Sequence, residues 1–560
     1  MLNKYFNFFC FLLLFCNTPL YSKNNNKNNF ISKNLSSYFS AITAYDNQKN
    51  SIALKYFNSS KSLINIHEPY LEKYIFSLVM DGKIDLAIKY VYINKDKKSS
   101  DFFEAYLLLI IDNIKKKNFK KANKLLSKLE SSREKDILSL VIYENLKSYI
   151  YLFENKKIIS KSSNFGDLSL ITSAFQGCYL GEKKTRSYFS NLIRSEKTDY
   201  SRYIFFYINY LLENKDLNQV KNIVDKIDIL NSNLLVYQTK NWINDKQYKK
   251  ISKIFSCKNE QDLLSEFLFI VGNLYSNENQ IEKSNFYLNL SNYLNPEFKF
   301  NLTLLSENYY NNDQYIQSKN VLRSFKSNDD IYYWHKIKKL ANIIFYTEGE
   351  KESIAFIFSK FKKIEKPSPR IIYDMANIFK GFKKFEPAIK YYNELISNKN
   401  ILSESRAEIL YRRGGSYERI GEFKKSDKDL LEALKINPND SYILNYLAYS
   451  WLERNYKINT AIKMLEKAYQ KNSNDPYILD SVGWGYYLIG DFKVAEKFLQ
   501  EAIILMPNDP IVNDHYGDIL WKVDKKLQAH YYWKSVLNLE DVEEDMKDNI
   551  NVKLLKGLIK

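Results

Sequence analysis

Apolar and small residues recur in this chain with the spacing of helices, most clearly between residues 475 and 509. They fall at i, i+4 and i+7, so they share one face of each of two predicted helices. These residues are Leu479, Gly483 and Tyr486 in the first helix, and Ala495, Leu499 and Ala502 in the second. Gly490 predicts the end of the first helix. Asp475 and Asp509 each precede a proline, which predicts a capping carboxylate at a helix start. The stretch is therefore predicted to form a helical hairpin.

The same pattern returns at intervals of about 34 residues along the chain. It is regular from Gly272 onward. The small-residue position there is filled by Gly272, Ser306, Ala341, Ala376, Gly414, Ala448, Gly483 and Gly517. Weaker units share the phase near Ala41, Ile75 and Ile110, and between residues 131 and 260 the register blurs. A side chain larger than that of Gly483 is predicted to overpack the helix contact and to cost roughly 1–3 kcal/mol.

A small residue, an aromatic residue, a turn glycine and two alanines at this spacing resemble the tetratricopeptide repeat (TPR). The resemblance implies an all-α fold, a right-handed α-solenoid superhelix of helix-turn-helix repeats in which each hairpin completes the core of its neighbour. The expected divisions are a signal peptide (1–22), a flexible leader (23–36), N-terminal TPR-like repeats (37–130), degenerate helical repeats (131–260), a TPR array (261–539) and a C-terminal capping helix (540–560).

The N-terminus has the layout of a secretory signal. Lys4 precedes an apolar run over residues 5–16, and residues 20–22 offer a cleavage site that ends in a small residue. The run is shorter than the roughly 20 residues that a bilayer requires, so no transmembrane helix is predicted. Phe15 before Cys16 departs from a lipoprotein signal, which disfavours a lipid anchor on Cys16. We expect export to the periplasm and leave peripheral association with the envelope open.

Charge and cysteine content add little to this picture. The net charge of +18 accompanies a composition rich in Lys, Asn, Ile, Tyr and Phe, and solvated lysine faces are favoured over a nucleic-acid or lipid surface. Cys178 and Cys257 are far apart in sequence. Two buried thiols are favoured over a disulfide, and whether the two cysteines pair stays open.

Catalytic signatures are missing from the sequence. It contains no phosphate-binding glycine loop, paired Cys-x-x-Cys or nucleophile elbow, so no catalytic residue, cofactor or metal is expected. His515 follows Asp514, but adjacent helix residues point about 100° apart. His515 is therefore expected to be a satisfied or exposed helix residue. An enzyme would have room only in residues 131–260, and a wall-cleaving activity there is the less favoured alternative.

Function is expected on the first helices, because in the TPR family these line a concave groove. Transferred to this sequence, the partner-binding residues are Tyr442, Asn445, Tyr449, Leu452, Tyr477, Asp480, Trp484, Tyr487, Ile511, Asp514, Asp518 and Trp521. Tyrosine and tryptophan are common anchors for protein partners. Three carboxylates favour a polypeptide with basic or polar side chains over nucleic acid. Groove and core are equally favoured for Trp484, whereas Trp533 is expected in the core.

The block from Leu479 to Trp533 also resembles the C-terminal repeats of a family of exported bacterial TPR proteins. That family includes the outer-membrane lipoprotein adaptor of a carboxyl-terminal processing protease. The resemblance implies a non-enzymatic scaffold of the cell envelope whose partners are other proteins or peptides, with a periplasmic protease and its substrates as one expectation. The alternative is an assembly factor that docks onto a membrane or cell-wall complex.

Overall fold

The computed structural model describes residues 32–133, 136–159, 164–194, 201–327, 330–539 and 542–558. The expected signal peptide and Cys16 lie outside these residues. The first helices are α1 Ser32–Asp46, α2 Asn50–Ser59, α3 Glu68–Met80, α4 Ile84–Asn94, α5 Phe103–Lys115, α6 Phe119–Ser131, α7 Ile137–Asn155, α8 Asp167–Leu180, α9 Thr185–Ile193, α10 Tyr203–Glu213, α11 Leu217–Asp225, α12 Leu234–Asn244, α13 Tyr248–Ile254, α14 Glu260–Asn277, α15 Ile281–Leu294, α16 Asn301–Asn311 and α17 Tyr315–Leu322. Short 3-10 turns cover Lys61–Asn65 and Lys98–Ser100.

The remaining helices are α18 Asp330–Glu348, α19 Glu350–Phe361, α20 Pro369–Gly381, α21 Phe385–Ile396, α22 Ser403–Arg419, α23 Phe423–Ile436, α24 Ser441–Glu453, α25 Ile458–Lys471, α26 Pro476–Leu488, α27 Phe492–Leu505, α28 Pro510–Lys522, α29 Lys526–Val536 and α30 Glu544–Lys556. Neighbouring helices pack against each other, most extensively the two helices of one hairpin. The prediction of an all-α solenoid is confirmed. The described part of residues 131–260 is helical and contains no strand. Helix α1 includes residues 32–36, the last five of the expected leader.

Each hairpin turn is closed by one residue with a positive φ angle. From α14 onward these residues are Asn279, Asp313, Gly349, Lys383, Gly421, Asn455, Gly490 and Asp524, with Lys457 also positive beside Asn455. Earlier turns carry Gln48, Gly82, Lys117, Gly181, Lys215 and Lys246 in the same place. A left-handed residue lets the chain reverse directly after a helix. The blurred region therefore keeps the turn geometry of the repeats, although small residues recur less regularly there.

Small residues let the two helices of a hairpin approach closely, as expected. A Cβ on Gly483 would lie 2.6 Å from Cγ of Leu499, and a Cβ on Gly517 would lie 2.5 Å from the Trp533 ring. In each pair the contacted residue comes sixteen positions later, at the same level of the second helix. Trp533 is fully buried, which confirms its place in the core.

The chain divides into two compact units by packing, whereas the divisions by repeat type stay a prediction. Of the described residues, those within 32–216 and 246–326 form unit 1, and those within 217–245 and 327–558 form unit 2. In unit 1 the early hairpins pack against helices about two hundred residues later: the Phe76 and Phe286 rings lie 4.7 Å apart, and Tyr293 donates to Asp85. In unit 2, residues 217–245 pack onto hairpins that come far later in the chain. Long-range packing, which repeat phase does not encode, sets these units.

Two further features concern the chain's environment. Cys178 and Cys257 form a disulfide, which corrects the expectation of two separate thiols. The residues lie 79 positions apart in sequence, and the fold brings α8 and the segment before α14 together. None of the helices in the described part has the length and apolar character that crossing a bilayer requires.

Candidate functional site

Three exposed side chains stand in the first turns of consecutive first helices. Tyr442 on α24 and Tyr477 on α26 are each 56% exposed, and Ile511 on α28 is 46% exposed. The aspartate two residues earlier caps each helix and accepts a hydrogen bond from the backbone N–H of the exposed residue, at 2.9–3.0 Å. In each helix, the two-residue spacing therefore fixes the position of the exposed side chain relative to the capping aspartate. We call Tyr442, Tyr477 and Ile511 the first-turn ladder.

An aromatic stack lies one helical turn or more beyond the ladder. The Trp484 ring lies parallel to His515 at 4.0 Å and parallel to Tyr487 at 4.7 Å, measured between ring centroids. The indole N–H of Trp484 donates to Glu453 at 3.1 Å. The Trp484 and Tyr487 side chains remain partly exposed. Both side chains present aromatic surface, and contacts within the chain hold them in place.

Asp480 faces the protein interior and not an open groove. It is buried, and both of its carboxylate oxygens lie 3.0 Å from Nδ1 of His515. Burial lowers the pKa of His515, but the carboxylates of Asp480, Asp514 and Asp518 outweigh it and hold that pKa above its usual value. His515 therefore pairs with a carboxylate 35 residues earlier, and not with its neighbour Asp514.

The other two expected carboxylates are engaged by the C-terminal helix. Nζ of Lys553 on α30 lies 2.5 Å from Asp514 and 2.8 Å from Asp518. Asp518 also accepts the indole N–H of Trp533 at 2.9 Å. Burial and Asp514 raise the pKa of Asp518, while Lys553 acts in the opposite direction. The expectation of an open acidic wall is therefore corrected, because the chain's own cations occupy it.

Four more expected groove residues have definite positions. Leu452 is 1% exposed and belongs to the core between hairpins, so it is not a groove residue. Tyr449 is partly exposed, and burial raises its pKa. Oδ1 of Asn445 is buried without a hydrogen-bond partner among the described residues. Trp521 packs over Gly557, whose added Cβ would lie 2.1 Å from the ring, so the end of the chain covers it.

A second internal segment covers the first helices on the other side of the ladder. Residues 226–233, between α11 and α12, lie on α20 and α22 within unit 2. Arg370 donates to the carbonyl oxygen of Ser232 at 2.5 Å, and Asn231 donates to Glu408 at 3.1 Å. Leu230 is 4% exposed in the same apolar cluster as Tyr373. A non-helical segment of the chain, which contains a turn over residues 229–231, thus already occupies these two first helices.

Sequence reasoning missed both internal occupants. Lys553 is one of several lysines in an amphipathic helix, and nothing in the sequence distinguishes it from the exposed Lys556. Residues 226–233 lie in the region with blurred register, about 140 residues before the helices that they cover. Hydrophobic Ile229 and Leu230 between two polar stretches were the available signal. Neither occupant covers the side chains of the first-turn ladder, which stay exposed.

The comparisons with known proteins agree with the repeat geometry. A family model described as "Tetratricopeptide repeat" matches residues 407–440, which include the whole of α23 and most of α22. The chain contains tetratricopeptide (TPR) repeats. The TPR repeat-containing protein PA4667 of Pseudomonas aeruginosa is 33% identical to it over 110 residues, which are 20% of this chain and 18% of that protein.

A more distant match is to an enzyme, so the TPR repeats alone do not decide whether a protein that carries them is catalytic. The aspartyl/asparaginyl beta-hydroxylase of Homo sapiens is 24% identical over 210 residues, 33% of this chain and 26% of the hydroxylase. This TPR protein therefore spans only about a fifth to a quarter of these curated relatives. Solved TPR proteins from Parabacteroides merdae and Thermus thermophilus are each 15% identical to it. They cover 46% and 34% of this chain and 98% and 100% of their own, with TM-scores of 0.38 and 0.30. Scores this low carry no argument about function.

Proposed function

We propose that this TPR protein is an exported, non-enzymatic adaptor of the bacterial cell envelope that binds partner polypeptides along the first-turn ladder. The observation that carries the proposal is the ladder itself: Tyr442, Tyr477 and Ile511 stay exposed, although residues 226–233 cover the preceding first helices and Lys553 occupies the carboxylates of α28. Aromatic and aliphatic side chains held by capped helices lose little entropy on binding, which suits them to anchor a partner.

The internal occupants support a polypeptide as the ligand. Residues 226–233 contact first helices of this array through an arginine, a carboxylate and an apolar cluster, which supports recognition of a non-helical peptide. Lys553 contacts α28, the last ladder helix, and so provides an example of a lysine bound beside the ladder. A partner on the ladder would use the same kinds of contact on α24 and α26. The exposed ladder favours a partner polypeptide with apolar anchor residues. A strongly basic partner, which the expected acidic wall implied, is less favoured.

Export and the protease partner are the finer parts of the proposal. The Cys178–Cys257 disulfide supports an oxidising compartment, because disulfides persist mainly outside the cytosol. The signal-like N-terminus points the same way. The likeness of residues 479–533 to exported TPR adaptors supports the role of bringing a periplasmic protease to its substrates. No catalytic step belongs to the proposal.

The experiment is crosslinked capture from the envelope fraction of the source bacterium, with wild-type protein and the triple variant Tyr442→Ala, Tyr477→Ala, Ile511→Ala. We expect the variant to keep its helical circular dichroism and to lose the principal partner. The matched control replaces exposed Tyr346, Leu527 and Tyr531 with alanine and is expected to retain that partner. Equal recovery with both variants would reject the ladder, and recovery only from the cytosolic fraction would reject export.

A further inference from the structure

Unit 1 contains a pocket that plays no part in the proposed adaptor function. It has a volume of 360 Å³ and lies where the turns after α1 and α3 meet helices α15, α16 and α17. That volume falls within the range of roughly 300–1,000 Å³ found for small-molecule sites. The pocket is made by the packing of early hairpins against late ones within unit 1, so neither set of helices contains it alone.

Carboxamides dominate the lining of this pocket. Five asparagines and three glutamines are among its twenty lining residues. Asn285, Asn289 and Asn292 project from α15, and Gln317 and Asn320 project from α17. Small-molecule pockets usually have only a few polar groups, so eight carboxamides among twenty lining residues are a large number. Stripping so many amides of water with an apolar ligand would cost free energy at each group.

Part of this hydrogen-bonding capacity is unused. The side chains of Asn292 and Asn320 make no hydrogen bond to any described residue, and Nδ2 of Asn285 donates none. Asn285 is 2% exposed, and its Oδ1 is held by Nδ2 of Asn308 at 2.9 Å. Asn285 therefore presents a held amide with a free donor, and Asn292 and Asn320 add amides that can both donate and accept.

Charge excludes several ligand classes. The described residues that line the pocket include no lysine, arginine or histidine, although the chain carries a net charge of +18. Its two acids are already engaged: Asp81 pairs with Lys83 at 2.7 Å, and Glu282 accepts from the Tyr45 hydroxyl. Phosphates and other anions lack a counter-charge here, and a polycation lacks free carboxylates.

We propose that this pocket binds an uncharged oligosaccharide. Sugar hydroxyl groups are donors and acceptors at once, as carboxamides are, so each amide can hold one or two of them. Leu302, Leu305 and Val321 give the pocket an apolar side against which the C–H face of a sugar ring packs. Tyr45 and Tyr309 add aromatic rings to the same lining. This inference does not depend on the ladder in unit 2.

The test is saturation-transfer NMR with calorimetry on the whole chain, using cellobiose, maltose and N,N′-diacetylchitobiose as neutral probes. Glucose 6-phosphate, spermidine and a blocked tri-asparagine peptide serve as competing classes. We expect at least one neutral disaccharide to bind. The variant Asn292→Leu, Asn320→Leu should weaken that binding at least about tenfold, because leucine has a shape similar to that of asparagine but lacks the amide group.

The matched control is Asn311→Leu, an exposed asparagine on α16 that does not line the pocket. It is expected to bind the disaccharide as the wild type does, and thermal melts should show all variants folded. The proposal is overturned if no neutral disaccharide binds. It is also overturned if only the phosphate, the polyamine or the peptide binds, or if the pocket variant binds the disaccharide unchanged.

Discussion

At the scale of single residues, Gly483 lies where the two helices of its hairpin come closest. A Cβ there would meet Leu499 Cγ at 2.6 Å and the Leu499 backbone nitrogen at 3.1 Å. Gly483→Ala gains about 1 kcal/mol of helix propensity but pays roughly 1–3 kcal/mol for overpacking, so we expect a net loss of stability. The measurement is the midpoint of thermal or urea unfolding.

Gly381→Ala is the control for this prediction, because a Cβ on Gly381 would meet nothing within 4 Å. This variant should be neutral or slightly stabilised. A Gly483→Ala protein as stable as the wild type would show that the hairpin relaxes around the added carbon, and that small residues at this position are not required by packing.

His515 gives the last hairpins a dependence on pH. Its pKa is raised in the folded state, so the pair with Asp480 stabilises the fold fully below the unfolded pKa of about 6.5. This contribution is lost as the pH rises through the folded pKa. We expect the difference in melting temperature between wild type and His515→Gln to be larger at pH 6 than at pH 9. A difference that grows with pH would contradict a charged His515.

Residue-scale features were predictable from sequence when their cause was local. The caps at Asp475 and Asp509 and the turn at Gly490 follow from neighbours within a few positions. The partner of His515 did not follow, because Asp480 lies in the preceding hairpin and the rotation of two helices decides whether they meet. The same cause makes Leu452 a core residue, since its helix α24 turns that position toward the next hairpin.

At the scale of elements, the C-terminal helix α30 does more than cover an apolar face. Its Lys553 is the cation that lies between Asp514 and the buried Asp518. Removing one member of a buried ion pair costs about 3–5 kcal/mol, because the remaining charge is left without a partner. We expect Lys553→Met to destabilise the last hairpin by about that amount in unfolding experiments.

Lys556→Met is the matched control, since Lys556 is exposed on the same helix. Its effect should stay within about 0.5 kcal/mol of zero. Equal effects of the two substitutions would show that Lys553 contributes only as a surface charge. The helix itself was predictable from its acidic first turn and its lysines, but the side chain that points inward was not.

The segment of residues 226–233 is the second element with a testable role. Leu230 is buried against α20 and α22, so Leu230→Ala should cost about 2–5 kcal/mol locally and loosen the segment. Limited proteolysis should then cut within 226–233, which the wild type resists. Leu217→Ala, at a half-exposed position, should leave the digestion pattern unchanged. Resistance in the Leu230→Ala protein would show that polar contacts alone hold the segment.

At the scale of the whole molecule, the repeat class was predictable and the grouping of repeats was not. The 34-residue phase is a property of each hairpin and its neighbour, so it can be read from sequence. The packing of residues 217–245 with late hairpins, and of early hairpins with α15, depends on contacts across hundreds of residues. These contacts create the amide-lined pocket and decide which first helices remain open.

The central claim is that the open part of the inner surface recognises polypeptides through the first-turn ladder. A photoreactive benzoylphenylalanine placed at Tyr477, and separately at the somewhat more exposed Tyr531, tests it most directly in living cells, with crosslinked proteins identified by mass spectrometry. We predict a specific polypeptide adduct from position 477 and none from position 531. The same adduct from both positions, or an adduct from position 531 alone, would contradict the account.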